Sequence, residues 1–376
     1  METQNVQHTR VAVIGAGITG LSVGLCLSQL YRGRVAITVM AERFSPHTTS
    51  DSSGGLVIPS FSSYGTRERG KQAGEVANDR LQQWAYVTYD HLRRLCEEEG
   101  LRPEDGLMLV PTFKYFEESY PVPEWASHVI DFRSLEATEA TALGLRADLF
   151  KTVWRFKTFV IDGKRFLPWM TRRVAEMGGK FETRKVTSLK DLCGGGDYDV
   201  VINCTGLGSR DLAGDDELYP VKGQVVAIEA PGFMEVHYHH EADLHPEYVI
   251  PRTDCVLLGS TTEGDTWSTD TEPDAVEGIY KKCVGLVPRL AGSRIVGSWG
   301  CLRPVRHPEV RVEVEEVGGG AAPVVHCYGH GGQGYILHWG TAMEVAGMVG
   351  RHINVLISRA TTALDCGWMS SAYKWY

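Results

Sequence analysis

Two periods of apolar spacing run along this chain. A β-branched run, Val11 to Ile14, passes through a glycine turn into a segment with helical spacing that ends near Leu30. "VAITVM", Val35 to Met40, has the β-branched character of a second strand. The stretch Gly70–Gly100 carries a helical stripe of Val76, Leu81, Trp84, Tyr86, Leu92 and Leu95, which predicts its buried face. "GLMLVPTFKYF" and "KTVWRFKTFV" alternate with a period of two and predict antiparallel strands. A helix is expected over Gly163–Gly178, then a buried strand, Val200 to Cys204. "KGQVVAIEA", "EYVIPRTDCVLLGST" and "RIVGSWGCLRPVRHPEVRVEVEEV" read as further strands, with a helix near Pro273–Val287. "PVVHCYG" adds a strand, and a last helix is expected from about Thr341 to Ile357. Between these two sits "HCYGHGGQGYILHWG", five glycines in fifteen residues, which reads as an ordered loop that brings backbone close to something.

Strand and helix alternate at both ends, while the middle is mixed and antiparallel. The pattern predicts an α/β (α+β two-domain) chain in which a Rossmann-like domain is interrupted by a domain built on a mixed, antiparallel sheet. The expected nucleotide-binding domain is 1–60, 163–222 and 293–376, and the expected substrate-binding domain is 61–162 and 223–292. Gly15, Gly17 and Gly20 give G-x-G-x-x-G between strand and helix, where the motif's mechanism requires it. Gly15 permits the turn, Gly17 lets a pyrophosphate approach, and Gly20 lets the helix pack on the strand. Glu42 stands 22 residues after Gly20, just past the second strand, where an acid accepts hydrogen bonds from a ribose. The motif alone leaves NAD and FAD open.

At 376 residues the chain suits two domains, and 43% hydrophobic with 23% charged residues fits a soluble globular protein. A net charge of −9 without a basic block argues against nucleic acid as partner. Val11–Leu27 is interrupted by glycines and slightly short for a bilayer, so no membrane span is expected. Nine scattered cysteines without a C-x-x-C pair fit a reducing compartment and no zinc site. In "HYHHEAD", His237 and His239 fall on one strand face, but no third ligand stands at a recognisable spacing, so solvated loop histidines and no metal are expected.

Four dispersed segments resemble one family, the D-amino acid oxidases with the closely related D-aspartate oxidases. "ERFSPHTTSDSSGGLVIP" looks like its flavin-diphosphate loop, and "VVINCTGLGSR" is similar to its second nucleotide-contacting turn. "LRPVR" resembles its substrate-arginine segment, and "VVHCYGHGGQGYILHWGTA" its carboxy-terminal signature, with Cys327 where Asn, His or Ala is common. The likeness runs from Val11 to about Gly350. It implies FAD, held by Gly15, Ala16, Gly17, Ile18, Thr19 and Gly20, by Glu42 and Arg43, and by Thr48, Thr49, Ser50, Gly55 and Leu56. Val186, Cys204, Thr205 and Gly206 belong to the same set, as do Arg303, Gly331, Gly332, Gly334, Tyr335 and Ile336 around the ring.

The resemblance further implies that Arg303 and Tyr248 hold the substrate carboxylate and that the Gly332 carbonyl accepts from the amine; Arg306, in the same motif, is expected to be an ordinary surface arginine. No acid–base residue is required, because the chemistry is the cofactor's. D-aspartate oxidases carry extra arginines where Glu241 and Thr262 stand here, Ser where Gly332 stands and His where Ser60 stands. The expected substrates are therefore neutral D-amino acids, with basic ones admitted through Glu241, and O2 as acceptor. Leu244 replaces the lid tyrosine of mammalian members, which leaves a lid in question. The alternatives are a D-aspartate oxidase, an NAD-dependent dehydrogenase and a flavin-binding protein without oxidase activity. The family is often peroxisomal through an S-K-L-like ending. This chain ends Lys374-Trp375-Tyr376, without such a tripeptide, so the expected location is intracellular: peroxisomal by the resemblance alone, otherwise cytoplasmic. The resemblance leaves room for a homodimer.

Overall fold

The computed structural model describes residues 8–59, 76–239 and 247–361. Ser60, His240, Glu241, Asp243 and Leu244 lie outside the described residues. The fold is built on two sheets. The first has six strands in the order Arg311–Glu315, Val324–Tyr328, Val200–Asn203, Thr9–Ile14, Val35–Ala41, Lys180–Thr183. Every neighbouring pair is parallel except the Arg311–Glu315 edge, which returns antiparallel. Both faces are covered, so the central strand Thr9–Ile14 is apolar and buried from Val11 to Ile14. Val11 and Val13 pack on one side under the helices, and Ala12 and Ile14 on the other beside Leu192 and Cys193.

The second sheet has ten strands, largely antiparallel, with Leu218–Ile228 at one end and Leu107–Phe116 against Thr152–Ile161 toward the other. The strand Ile295–Arg306 pairs along nearly the whole of Leu218–Ile228. It thus joins the second sheet, although the expected boundary at 293 groups it with the nucleotide-binding part. Leu56–Val57 does the same by pairing with Thr152–Ile161. Sheet pairing follows backbone hydrogen bonding, and a boundary drawn from the alternation of elements does not see it.

Val76–Glu97 is the long helix expected within Gly70–Gly100, with Trp84, Leu92 and Leu95 buried as its stripe predicts and Leu81 and Tyr86 half-buried. The last helix departs from expectation. It spans Gly334–Thr361, preceded by a 3-10 turn at Gly331–Gln333, so the glycine-rich segment is half turn and half helix. Gly334 and Gly340 are poor helix formers, but tertiary contacts outweigh propensity here. Trp339 stacks on His91 at 3.5 Å, and a Cβ on Gly340 would overlap Trp84.

This helix and Ile18–Leu30 run side by side in the same direction. Ser22 Oγ meets His338 Nδ1 at 2.8 Å, Cys26 lies 3.3 Å from the Met343 sulfur, and the Tyr31 hydroxyl donates to the Ala346 carbonyl at 2.9 Å. Two helix N-termini, 316 residues apart in the chain, therefore end beside each other. Among the described residues, no helix is long and apolar enough to cross a membrane.

Candidate active site

A cavity of about 1900 Å3 opens where the two helix N-termini meet the face of the second sheet. Its first wall is the glycine turn. Gly15 has φ 108°, closed to most L-residues, and its N–H donates to the Met40 carbonyl at 2.8 Å. Gly15, Ala16, Gly17, Ile18 and Thr19 line the cavity. Gly20 does not, which corrects its place in the expected contact set. A side chain there would overlap the Gly15 carbonyl, so its job is the close approach of helix to turn. The helix has Gly17 at its N-cap, no side-chain cap and no acid in its first turn. The positive end of its dipole is thus left for an outside anion.

The polar segment after Glu42 is ordered by its own chemistry. Thr48 caps the short helix Thr49–Ser52, and Asp51 accepts from the Thr48 N–H at 2.8 Å and its hydroxyl at 2.6 Å. This capping box holds Thr48, Thr49 and Ser50 on the cavity wall. The Ser50 hydroxyl accepts from the Ile18 N–H at 3.0 Å, which stitches loop to helix N-terminus. Glu42, Arg43, Gly55, Leu56 and Val186 line the same wall, and Lys185 lies 3.6 Å from Glu42. Cys204, Thr205 and Gly206 follow the strand Val200–Asn203, and the Asn203 side-chain oxygen fixes their turn by accepting from the Thr205 N–H at 3.2 Å and hydroxyl at 2.8 Å.

The opposite end is closed by Gly331, Gly332, Gly334, Tyr335 and Ile336, all on the cavity wall. Gly334–Ile336 is the first turn of the last helix, so its N–H groups have no partner inside that helix. A side chain on Gly334 would come within 3.8 Å of Ile18, which shows how closely the two positive helix ends approach. Burial pushes the Tyr335 phenol up, so it stays a donor, and its hydroxyl bonds the Ser50 carbonyl at 2.9 Å.

Arg303 projects from the second sheet into this end. Its guanidinium donates to the Lys222 carbonyl at 3.2 Å, to Ser260 Oγ at 3.1 Å and to the Thr261 carbonyl at 3.4 Å. Those neutral acceptors orient the fork, and among the described residues no carboxylate pairs with it. Space for it exists because position 223 is glycine: a Cβ there would overlap the guanidinium. Tyr248 faces the same pocket over Gly259 and shares Ser260 with Arg303 through a hydrogen bond. Burial pushes its phenol up and Arg303 pulls it back only in part, so it too is a donor. A side chain at Gly332 would stand 3.5 Å from Arg303 Cδ, placing that residue beside the same group.

Other expectations are corrected. Arg306 is no surface arginine: it is largely buried, its Nε on Asp215 at 2.7 Å beside the Tyr328 hydroxyl. His237 and His239 are buried in the strand Val236–His239, not solvated in a loop. His237 Nδ1 meets the Tyr115 hydroxyl at 2.6 Å, and its Nε2 meets Glu235 at 2.7 Å. Among the described residues no group of three or more His, Cys, Asp or Glu could hold a metal ion. Sequence reasoning missed Lys114, which lines the cavity with Arg303, and Gly223 and Ser260, which touch the Arg303 guanidinium.

The residues fit an FAD. A cavity about twice the upper end of ordinary small-molecule sites, which is about 1,000 Å3, has room for an extended dinucleotide and a small substrate. Its walls offer an acid, a bare glycine turn at one helix N-terminus and a second helix N-terminus. The family model described as FAD dependent oxidoreductase matches residues 10–348. D-aspartate oxidase of Homo sapiens is 35% identical over 92% of this chain and 96% of its own. D-amino-acid oxidase of Rubrobacter xylanophilus is 33% identical over 91% and 96%. Glycine oxidase of Geobacillus kaustophilus shares the fold, with a TM-score of 0.70 at 18% identity over 91% of this chain and 95% of that one.

Proposed function

The chain belongs to the FAD-dependent oxidoreductase family, and from that premise we propose that it oxidatively deaminates D-amino acids to 2-oxo acids, ammonia and hydrogen peroxide. The observation that carries this reading is Arg303, a cavity guanidinium oriented by neutral acceptors and, among the described residues, without a carboxylate partner. A cation held in this way gains most from a carboxylate that arrives with the ligand.

When bound, FAD would supply the two-electron oxidation of the substrate amine, with O2 as the final acceptor. The protein's share is positioning. Arg303 takes the substrate α-carboxylate in a bidentate grip, and Tyr248, kept protonated, donates to the same group. The Gly332 carbonyl accepts from the amine, which fixes a third point and so the face presented to the cofactor. No side chain need move a proton from the α-carbon. Water then hydrolyses the released imino acid. The first sheet and its two helix N-termini hold the cofactor, and the second sheet presents the substrate. The first-turn N–H groups at Gly334–Ile336 favour negative charge on whatever lies against them.

Purified protein tests this by its colour. Flavin absorbance that bleaches when a D-amino acid is added without oxygen supports the reading. A colourless protein that turns over only with added NAD contradicts it, as does a yellow one that no amino acid bleaches.

A further inference from the structure

One row of side chains crosses the cavity face of the second sheet. Strand pairing sets Trp154 opposite Lys114, Lys114 opposite Tyr238, and Tyr238 opposite Tyr248. Directly opposed residues project from the same face of a sheet. All four line the cavity that holds Arg303. Lys114 is thus two strands, roughly 10 Å of backbone, from the tyrosine assigned to the substrate carboxylate.

The surroundings of this lysine are apolar. Its ammonium lies 5.3 Å from the ring of Phe116, 5.6 Å from Tyr238 and 5.8 Å from both Trp125 and Trp154. Among the described residues no carboxylate pairs with it. Glu118 is engaged by Lys151 at 2.6 Å, and Glu117 lies 4.0 Å from His239. Aromatic faces offset part of the desolvation of an ammonium but do not neutralise it. Burial pushes Lys114 down to about 8, so it is still mainly charged at neutral pH. A cation at this depth of a ligand cavity serves no purpose for an apolar side chain, and it repels a basic one.

We propose that Lys114 recognises the substrate side chain, and that the class it selects is D-amino acids with a side-chain carboxylate, such as D-aspartate and D-glutamate. The proposal rests on the D-amino acid reading of the site. Arg303 and Lys114 then divide one substrate between them, Arg303 taking the α-carboxylate and Lys114 the distal one. Lysine suits the distal place because a point charge on a flexible stem follows carboxylates at two chain lengths, which a rigid fork does not. The expectation of neutral substrates weighs Glu241, Thr262, Gly332 and Ser60, of which Glu241 and Ser60 lie outside the described residues, whereas Lys114 reaches the cavity from another strand.

The test compares FAD-loaded wild type with Lys114→Met on D-aspartate, D-glutamate, D-alanine and D-arginine. Wild type should favour the two acidic substrates. In Lys114→Met the ratio of kcat/KM for D-aspartate to that for D-alanine should fall by at least about 30-fold, the effect of removing one partner of a desolvated charge pair. Lys114→Arg should keep part of the ratio. Succinate against butyrate, read by perturbation of flavin absorbance, should show the same loss without turnover. If Lys114→Met does not fold, Lys114→Gln carries the same comparison. A ratio that stays constant while both activities fall overturns the proposal and makes Lys114 structural, as does a wild type that favours D-alanine or D-arginine. Absence of turnover with every D-amino acid overturns the parent reading instead.

Discussion

The Tyr335 hydroxyl donates to the carbonyl of Ser50 at 2.9 Å, joining residues 285 positions apart. Ser50 in turn accepts from the Ile18 N–H at 3.0 Å. One chain of contacts thus ties the flavin-diphosphate loop to both helix N-termini, and the cavity has its shape because of it.

Tyr335→Phe removes the donor and leaves the half-buried Ser50 carbonyl only the Ser53 N–H at 3.4 Å, a loss of about 0.5–1.5 kcal/mol. FAD affinity, measured by fluorescence titration of apoprotein, should fall about 2- to 12-fold. Substrate KM should change far less, since Tyr335 faces the cofactor half.

Arg303→Ala should lower kcat/KM by roughly 30-fold to several thousand-fold, the range for removing one partner of a desolvated ion pair, with flavin still bound. Steady-state kinetics and the visible spectrum check both parts. Flavin loss as the main defect would assign Arg303 to the cofactor.

Gly223→Ala tests the same arginine from behind. A Cβ there overlaps the guanidinium and displaces it, without touching the glycine turns. Misplacement by about 1 Å costs on the order of 100-fold in kcat/KM. The variant should keep its flavin and lose turnover.

Asp162 and Arg252 form a buried ion pair behind the cavity, with Arg252 also donating to the Ser53 carbonyl at 2.7 Å. Burial disfavours the Asp162 carboxylate, but Arg252 and hydrogen bonds from Thr253 and the Lys164 N–H outweigh it and hold the carboxyl below its usual range. A depressed folded value means the stabilisation is complete above the unfolded value, near 3.9, and is lost as pH falls through the folded one. Thermal melts should be flat in this contribution at neutral pH and decline in acid. Asp162→Asn should remove that part of the acid dependence and cost about 3–5 kcal/mol at pH 7.

The two glycine-rich segments were not equally legible. Gly15, Gly17 and Gly20 could be read because a phosphate cradle is local: strand, turn and helix are contiguous, and each spacing has one mechanical reason. The capping box of Thr48 and Asp51 was equally local, though it went unread inside a long polar segment. Gly334 and Gly340 lower helix propensity, so the late segment reads as a loop in the sequence. What makes it helical is contact with Trp84 and His91, far away in sequence. Arg303 and Tyr248 were found by resemblance. Gly223, Ser260 and Lys114 were not, because their relation to Arg303 exists only in the pairing of six strands scattered along the chain. Arg306 misled for the same reason: Asp215, its partner, lies 91 residues away.

The central claim is that one cavity holds FAD and the α-carboxylate of a D-amino acid at Arg303. Hydrogen peroxide release across matched D- and L-amino acids tests it most directly. The account predicts peroxide from D-isomers, at least tenfold faster than from the L-forms, and its near loss in Arg303→Ala. Equal or faster release from L-isomers, or release that survives Arg303→Ala unchanged, would contradict it.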